Sequence, residues 1–184
     1  MHLTRLFGKG EASRLAGALG IGLCLAFAQA PAAGAQGARM TVQSMMDRAQ
    51  IEDLLTRYYY NFGHASAEAF SAFYADGAEL RLGTEVYKGK EGIEGAYNGV
   101  PADSPVKKAF SFTVLLTNPL VIVHGETATI QAIFTEVLVD TPGATPHLLT
   151  QGREYDKLVK VKGQWKFSSR QIMAGTQEPD GWPN

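Results

Sequence analysis

The most chemically suggestive stretch of the chain is LLTRYYYNFGHAS, from Leu54 to Ser66. Its apolar and aromatic spacing predicts a helix that ends at Gly63 and that carries Tyr58, Tyr59 and Phe62 towards its buried side. A buried tyrosine near a cation can act as an acid, or as a base if its pKa is lowered. We expect Tyr58 to pack in the core, and Tyr59 to lie with Phe62 at the mouth of a chemical site.

Two further candidates for chemistry follow this helix, His64 and Arg81. A neutral imidazole suits general base catalysis near pH 7, although a histidine just past a helix also interacts favourably with the helix C-terminus. In the strand ELRL, either Glu79 and Arg81 or the two leucines must face the interior. Leucines facing inward are the ordinary arrangement, whereas an inward Arg81 would lower a tyrosine pKa or stabilise an anionic intermediate.

An apolar stripe in the strand-like run from Thr127 to Asp140 ends in a carboxylate. Period-two alternation places on one face Ile130, Ala132, Phe134 and Glu136. Glu136 therefore either lines a pocket beside apolar side chains or reaches water at the end of the strand. We expect it to contact a substrate.

The segment GREYDK carries polar side chains on both faces of the next strand. Arg153 and Tyr155 share one face, and Glu154 and Asp156 lie on the other. We assign Arg153 and Tyr155 to substrate binding. A structural ion pair between an arginine, Arg153 or Arg170, and a carboxylate is the alternative.

The sequence contains no motif for a metal or an organic cofactor. Its histidines have neither HxxxH nor HExxH spacing, no serine lies in a G-x-S-x-G context, and no G-x-G-x-x-G or phosphate loop follows a strand. The formal net charge is −1, and no basic run is longer than Lys107-Lys108. We therefore expect no metal, no cofactor and no nucleic-acid partner.

Residues 1–35 have the organisation of a secretory signal peptide. Basic residues precede the apolar run Leu15 to Ala30, and small residues follow up to Ala35. The run is too short and too glycine-interrupted for a comfortable membrane span. Cleavage is expected after Ala35, with Ala30 as the alternative, giving a periplasmic or secreted protein without a membrane partner. The single cysteine, Cys24, leaves with the leader, which removes disulfides and thiolate chemistry.

The rest of the chain, 36–184, is predicted to form one domain with a short tail at 174–184. Hydrophobic periodicity and turn residues predict three helices, at Thr41–Phe62, Ala67–Tyr74 and Lys88–Val100, and five strands, at Glu79–Leu82, Phe110–Val123, Thr127–Asp140, His147–Val161 and from Trp165. Asp76-Gly77 is a turn signal, and His124-Gly125 and Lys162-Gly163 have the composition of hairpin turns. Helices followed by a long meander indicate an α+β fold with a cavity between sheet and helices.

Four separated segments carry a resemblance to a known family: LLTRYYYNFGHASAEAFSAFYADGAEL, YKGKEGI, LLTNPLVIVHGETATIQA and GREYDKLVKVKGQWKFSSRQI. Together they resemble the SnoaL-like group of the nuclear-transport-factor-2-like superfamily, which includes scytalone dehydratase and ketosteroid isomerase. The resemblance spans about Met46 to Ile172. It implies a cone-shaped, curved antiparallel sheet wrapped by N-terminal helices around an apolar pocket. It also implies enzymes that use side-chain acids and bases without a metal or an organic cofactor.

The chain departs from this family where the chemistry is usually found. Many members carry a Leu-Asp-x-Gly-Asp pattern after the first helix, whereas this chain has Phe62-Gly63-His64-Ala65-Ser66 there. The catalytic histidine of scytalone dehydratase aligns with Val114. His64 is the one histidine near the family's base position, so it is our expected replacement for the missing aspartate.

Two classes of function remain open from the sequence. The first is an exported, cofactor-independent lyase, dehydratase or isomerase. We expect it to act on a small apolar molecule of phenolic or aromatic type, with release of water or of an aldehyde such as formaldehyde as one version. The second is a non-catalytic small-molecule binder or scaffold of the same fold. A homodimer is expected for either class. The expected catalytic residues are Tyr59, His64 and Arg81, and the expected substrate-binding residues are Tyr58, Phe62, Tyr97, Glu136, Arg153 and Tyr155.

Overall fold

A computed structural model describes residues 40–60, 62, 66–175, 179 and 182. The expected leader and His64 lie outside these residues. The described chain contains four helices, α1 (Val42–Tyr60), α2 (Ala67–Ser71), α3 (Gly89–Asn98) and α4 (Pro105–Lys108). It also contains six strands, β1 (Tyr74–Leu82), β2 (Glu85–Lys88), β3 (Ser111–His124), β4 (Thr127–Val139), β5 (His147–Val161) and β6 (Gln164–Ala174).

All six strands belong to one sheet with the order β2-β1-β6-β5-β4-β3. The long strands β3 to β6 form the expected antiparallel meander, and β1 pairs with β2 in the same sense. The pairing of β1 with β6 is parallel, so the sheet is mixed rather than wholly antiparallel. The α+β class predicted from the sequence is confirmed.

The region between the first two predicted helices and the long strands differs most from the prediction. Strand β1 already begins at Tyr74, where a helix end and an Asp76-Gly77 turn were expected. Gly77 adopts a left-handed conformation (φ 71°), and the register with β6 shifts between Tyr74 and Glu79, so the Asp-Gly pair forms an irregularity inside a strand. The short elements β2 and α4 were not predicted. A Ser104 cap and Pro105 in the first turn start α4 within PADSP.

Helix α1 packs on the sheet through the face predicted from its periodicity. Ile51, Leu54, Leu55 and Tyr58 are buried. Met45 was expected on this face but is 52% exposed.

Asp47 is the buried residue of the first turns of α1 instead. It forms an ion pair with Lys160 and accepts a hydrogen bond from Trp165 Nε1 at 3.2 Å. The Lys160 ammonium holds the pKa of the Asp47 carboxyl below its ordinary value. The N-terminal end of α1 is therefore held to the β5–β6 hairpin by a polar contact that apolar periodicity does not reveal.

We expect Gly152→Ala to destabilise the fold strongly. A Cβ atom at Gly152 would lie 2.2 Å from the Met173 carbonyl oxygen and 2.7 Å from two ring carbons of Phe134. Because one obstacle is backbone in the neighbouring strand, the clash is not relieved by a rotamer change, and we expect a loss of about 3 kcal/mol. Denaturant unfolding of the variant measures this loss.

Gly95→Ala is the matched control for that substitution. Gly95 lies in α3, and an added Cβ there meets nothing within 4 Å. Alanine is a better helix former than glycine, so we expect a gain of about 0.5–1 kcal/mol. Equal stability of the two alanine variants would contradict the close packing at Gly152.

Candidate active site

A cavity of about 800 Å³ lies between α1 and β3. Most of its walls are apolar, and they include Leu55, Phe62, Phe112, Val114, Leu116 and Pro119. Alternation along β3 explains this lining, because Phe112, Val114 and Leu116 share one face of the strand. Tyr59 also borders the cavity and connects it to the polar interior described next.

A group of ionisable side chains is buried behind the cavity. Glu154 and Asp156 of β5 and Arg170 of β6 each have 0% exposure. Arg170 Nη2 donates to Glu154 Oε2 at 2.6 Å, and Arg170 Nε donates to Asp156 Oδ1 at 3.2 Å. One guanidinium is therefore shared by two carboxylates in the protein interior.

Tyr59 joins this buried group through its hydroxyl. The hydroxyl donates to Glu154 Oε2 and accepts a hydrogen bond from Arg170 Nη2 at 2.9 Å. Among the described residues, no hydrogen-bond partner is found for Glu154 Oε1, Asp156 Oδ2 or Arg170 Nη1. Buried polar atoms without partners are uncommon in stable cores, and they mark this group as a candidate site.

Aromatic rings surround the guanidinium of Arg170. Its carbon Cζ lies 4.2 Å from the ring centroid of Tyr58 and 4.3 Å from that of Phe167. A desolvated guanidinium interacts favourably with ring faces, and a planar one fits between them better than an ammonium would. These rings fix the orientation in which Arg170 presents its donors to Tyr59 and the carboxylates.

Burial sets the protonation of this group. It raises the pKa of the Tyr59 hydroxyl well above the ordinary value in spite of Arg170, so Tyr59 is neutral at rest. Burial also raises the pKa of Asp156 well above its ordinary value, and Arg170 opposes this only in part. Although burial alone would lower the pKa of Arg170, the carboxylates and tyrosines around it raise it well above the ordinary value. One guanidinium beside two carboxyl groups is electrically neutral when the two carboxyl groups hold one proton between them.

A bulge in β6 explains how Arg170 reaches the interior. Trp165 and Phe167 are buried, and strict alternation would place Ser169 on their face and Arg170 on the opposite one. The β5–β6 register instead passes from Lys157↔Ser169 to Leu158↔Phe167, which leaves Ser168 unpaired. This extra residue reverses the alternation. Arg170 therefore shares the inner face with Phe167.

Glu136 carries a carboxyl group on the strand that neighbours the cavity wall. It is the cross-strand partner of Val114, which lines the cavity, and it follows the buried residues Ala132 and Phe134 on the inner face of β4. Burial raises its pKa above the ordinary value of 4.5. Within the described part of the chain, we find no hydrogen bond or ion pair that holds its side chain. Glu136 is therefore a half-buried carboxyl group suited to carry a proton.

We expect Glu136→Gln to stabilise the protein at pH 7 but not near pH 4. The raised pKa means that the folded state favours the protonated carboxyl, so its contribution to stability is fully present below about pH 4.5 and is lost as the pH rises through the folded-state pKa. Glutamine removes this loss. Thermal unfolding at both pH values measures it, and a gain that is the same at pH 4 and pH 7 would contradict the assignment.

The structure brings several of the expected site residues together. Tyr58 is buried, as expected, and its hydroxyl is hydrogen-bonded to that of Tyr97, which also bonds the Tyr74 hydroxyl at 3.0 Å. Phe62 packs against Tyr59 with ring centroids 5.8 Å apart and lines the cavity. Tyr97 lies at a second cavity beyond Phe62.

Three other expected site residues lie away from this group. Leu80 is buried, whereas Arg81 is on the outer side of β1, where it pairs with Glu79 at 2.7 Å. Arg153 and Tyr155 occupy the face of β5 opposite Glu154, because neighbouring residues of a strand point to opposite sides. Tyr155 packs there against Trp182 with ring centroids 5.1 Å apart. The expectation for His64 concerns a residue outside the described part of the chain.

Sequence reasoning missed the buried residues Glu154, Asp156 and Arg170 as members of the site. One signal was present: Glu154 and Asp156 are in phase with Leu158, a core residue of the same strand. A carboxylate pair in phase with an apolar residue indicates the inner face. The position of Arg170 depends on the bulge at Ser168, and no pattern in the sequence predicts this bulge.

The comparisons with known proteins agree with this architecture. A family model for the SnoaL-like domain matches residues 43–171, and the chain belongs to this family. One similar solved structure is a proposed scytalone dehydratase from Novosphingobium aromaticivorans. It is 18% identical to this chain, the match covers 79% of this chain and 100% of that one, and the TM-score is 0.61. An NTF2-like protein with a cystatin-like fold from the same organism has 18% identity, coverage of 79% and 94%, and a TM-score of 0.61. LinA has 21% identity, coverage of 71% and 87%, and a TM-score of 0.58.

These structural similarities show the fold, and the function has to be argued from the residues of the site. No match was found among curated proteins. Across the described residues, no cluster of three or more histidine, cysteine, aspartate or glutamate side chains is arranged to hold a metal ion. Among the helices described, none has the length and apolar character needed to cross a bilayer.

Proposed function

We propose that this protein is a cofactor-independent lyase or isomerase that moves a proton on a small, mainly apolar molecule with an aromatic or phenolic part. The observation that carries the proposal is the position of Tyr59. It borders the cavity and is hydrogen-bonded to both Glu154 and Arg170 of the buried group. Tyrosine so placed exchanges protons between a bound molecule and a carboxylate that solvent does not reach.

Proton removal from the substrate uses Tyr59 as a relay. The tyrosine oxygen takes a proton from an acidic C–H or O–H bond of the substrate while its own proton passes to Glu154 Oε2, to which it is already hydrogen-bonded. Glu154 ends protonated, Tyr59 remains neutral, and the substrate holds the electron pair of the broken bond. No free phenolate accumulates, which agrees with the raised pKa of Tyr59. The nearby Arg170 guanidinium stabilises negative charge that develops on the tyrosine oxygen.

Glu136 supplies the second half of the reaction. Because its pKa is raised, its carboxyl group can donate a proton to a departing hydroxyl, which gives an elimination, or to a carbon atom of the substrate anion, which gives an isomerisation. Release of formaldehyde from a hydroxymethyl group is a further reaction open to a phenolic substrate. The hydroxymethyl O–H loses its proton to Tyr59, its oxygen forms the C=O bond of the aldehyde, and the electron pair of the broken C–C bond takes up the proton of Glu136. Glu136 regains its proton from solvent, whereas the buried Glu154 returns its proton through Tyr59 to the product or to water in the cavity.

Product masses from a substrate panel test the proposal. The purified protein, without added metal or cofactor, is incubated with small phenolic and lignin-derived aryl compounds and with hydroxy ketones of similar size. Loss of water, loss of formaldehyde or an isomer of unchanged mass identifies the reaction. Binding without turnover across the panel would favour a non-catalytic binder of the same fold over an enzyme.

We also propose, from the sequence, that the protein works outside the cytoplasm after removal of residues 1–35 and that it forms a homodimer. The leader pattern supports the first statement. The single open sheet supports the second statement, because open sheets of this family commonly associate face to face. Mass spectrometry of the exported protein and light scattering test the two statements separately.

A further inference from the structure

A second cavity, of about 500 Å³, adjoins the candidate active site. Its walls come from α2, α3, α4 and the chain that leads into β3, with the apolar side chains Phe70, Tyr97, Val100, Val106 and Phe110. Phe110 is 63% exposed at the edge of this space. An exposed aromatic side chain beside an apolar cavity is typical of a binding surface.

Two rings form a wall common to both cavities. Phe62 and Phe112 line each of them, and their ring centroids are 5.6 Å apart at an interplanar angle of 49°. Phe62 also packs on Phe70 at 5.5 Å, and Phe70 stacks on Tyr97 at 4.7 Å. An aromatic surface therefore runs without interruption from the cavity that holds Tyr59 into the second one.

The second cavity is suited to binding rather than to proton transfer. The Tyr97 hydroxyl is already engaged with Tyr58 and Tyr74. Two charged residues that border this space, Glu68 and Lys107, are exposed. Of the groups assigned to the reaction, Tyr59 lines the first cavity and Glu136 is the cross-strand partner of Val114 in its wall, whereas neither lines the second cavity. The second cavity therefore fits an apolar part of a substrate that does not itself react.

We propose that the second cavity is a subsite for an apolar substituent of about ring size, connected to the reacting part of the substrate by a short link that lies along Phe62 and Phe112. This inference rests on the proposed function and narrows its substrate class to elongated molecules with two apolar units. A single-ring molecule occupies the first cavity alone. A two-unit molecule gains the contact area of the second cavity as well.

Equilibrium binding of two probes tests the subsite. The probes are 4-methylphenol and 4-benzylphenol, which share one phenolic hydroxyl and differ by a second ring, and calorimetry gives their Kd values with the purified protein. Burial of a further ring predicts that 4-benzylphenol binds at least tenfold more tightly. Val106→Trp, which fills the second cavity, is expected to reduce this preference at least threefold by weakening only 4-benzylphenol.

A second pair of variants keeps the test independent of folding defects. Phe110→Ala removes an exposed ring, so it leaves the core intact, and it is also expected to reduce the preference at least threefold. Leu115→Ala is the matched control, because Leu115 is 49% exposed on the opposite face of β3, and the preference stays at its wild-type value. A wild-type preference below tenfold, a preference unchanged in Phe110→Ala, or failure of both probes to bind overturns the subsite.

The binding readout separates this inference from the proposed function. If the preference follows the predicted pattern but no compound of either length is transformed, the subsite stands and the enzymatic proposal fails. If single-ring compounds are transformed and the preference does not respond to the variants, the enzyme stands and the subsite fails.

Discussion

Tyr59→Phe is expected to lower turnover by about 10²- to 10⁴-fold, with a smaller effect on KM. Phenylalanine keeps the ring that borders the cavity but removes the oxygen that links the substrate to Glu154 and Arg170. The substrate then has no path for its proton into the buried group, whereas its apolar contacts remain. Steady-state kinetics on the compound transformed fastest in the panel measure both constants, and circular dichroism confirms that the variant is folded.

Tyr87→Phe is the matched control for this variant. Tyr87 also donates its hydroxyl to a glutamate, Glu85, but it lies on β2, at the opposite edge of the sheet from β3. Its loss is expected to leave kcat within a factor of two. Equal activity of Tyr59→Phe and Tyr87→Phe would remove Tyr59 from the chemistry.

Arg170→Met is expected to destabilise the protein by about 3–5 kcal/mol. Methionine fills a similar space between the rings of Tyr58 and Phe167, but it leaves Glu154 and Asp156 in the interior without their cation. Uncompensated buried charge is among the most costly single changes in a folded protein. Urea unfolding measures the loss.

Two comparisons identify the cause of this loss. Arg81 forms its ion pair with Glu79 at the surface, with 40% side-chain exposure, so Arg81→Met is expected to change stability by less than about 1 kcal/mol. Adding Glu154→Gln and Asp156→Asn to Arg170→Met replaces the stranded carboxyl groups with neutral amides and is expected to restore most of the stability without restoring turnover. A triple variant as unstable as Arg170→Met would show that packing, rather than charge, is lost at this position.

The sequence allowed the fold to be predicted where periodicity is strong and uninterrupted. Helix α1 and strands β3 to β6 lie within a few residues of their predicted ranges, because their apolar patterns extend over many residues. The errors fall where the local pattern is short or broken. The pair Asp76-Gly77 has the composition of a turn, yet the pairing of Tyr74 and of Glu79–Leu82 with β6 on either side keeps it within a strand as an irregularity.

The candidate site was only partly predictable for the same physical reason. Tyr59 and Glu136 could be found because each follows regular spacing on its own element. The choice between the two polar faces of GREYDK depended on which face packs against α1, which is a tertiary contact. Arg170 could not be placed inside from alternation, because the unpaired Ser168 changes the face on which it lies.

Hydrogen–deuterium exchange on a bound small molecule tests proton transfer at Tyr59 most directly. The protein is incubated in D₂O with phenolic ketones that carry an acidic C–H bond next to the carbonyl group, and proton NMR follows the loss of that C–H signal. We predict exchange well above the buffer rate with wild-type protein and with Tyr87→Phe, and exchange at the buffer rate with Tyr59→Phe. Exchange that is equally fast in Tyr59→Phe, or that stays at the buffer rate for every compound that binds wild-type protein, would contradict the assignment of Tyr59, Glu154 and Arg170 as a proton-transfer site.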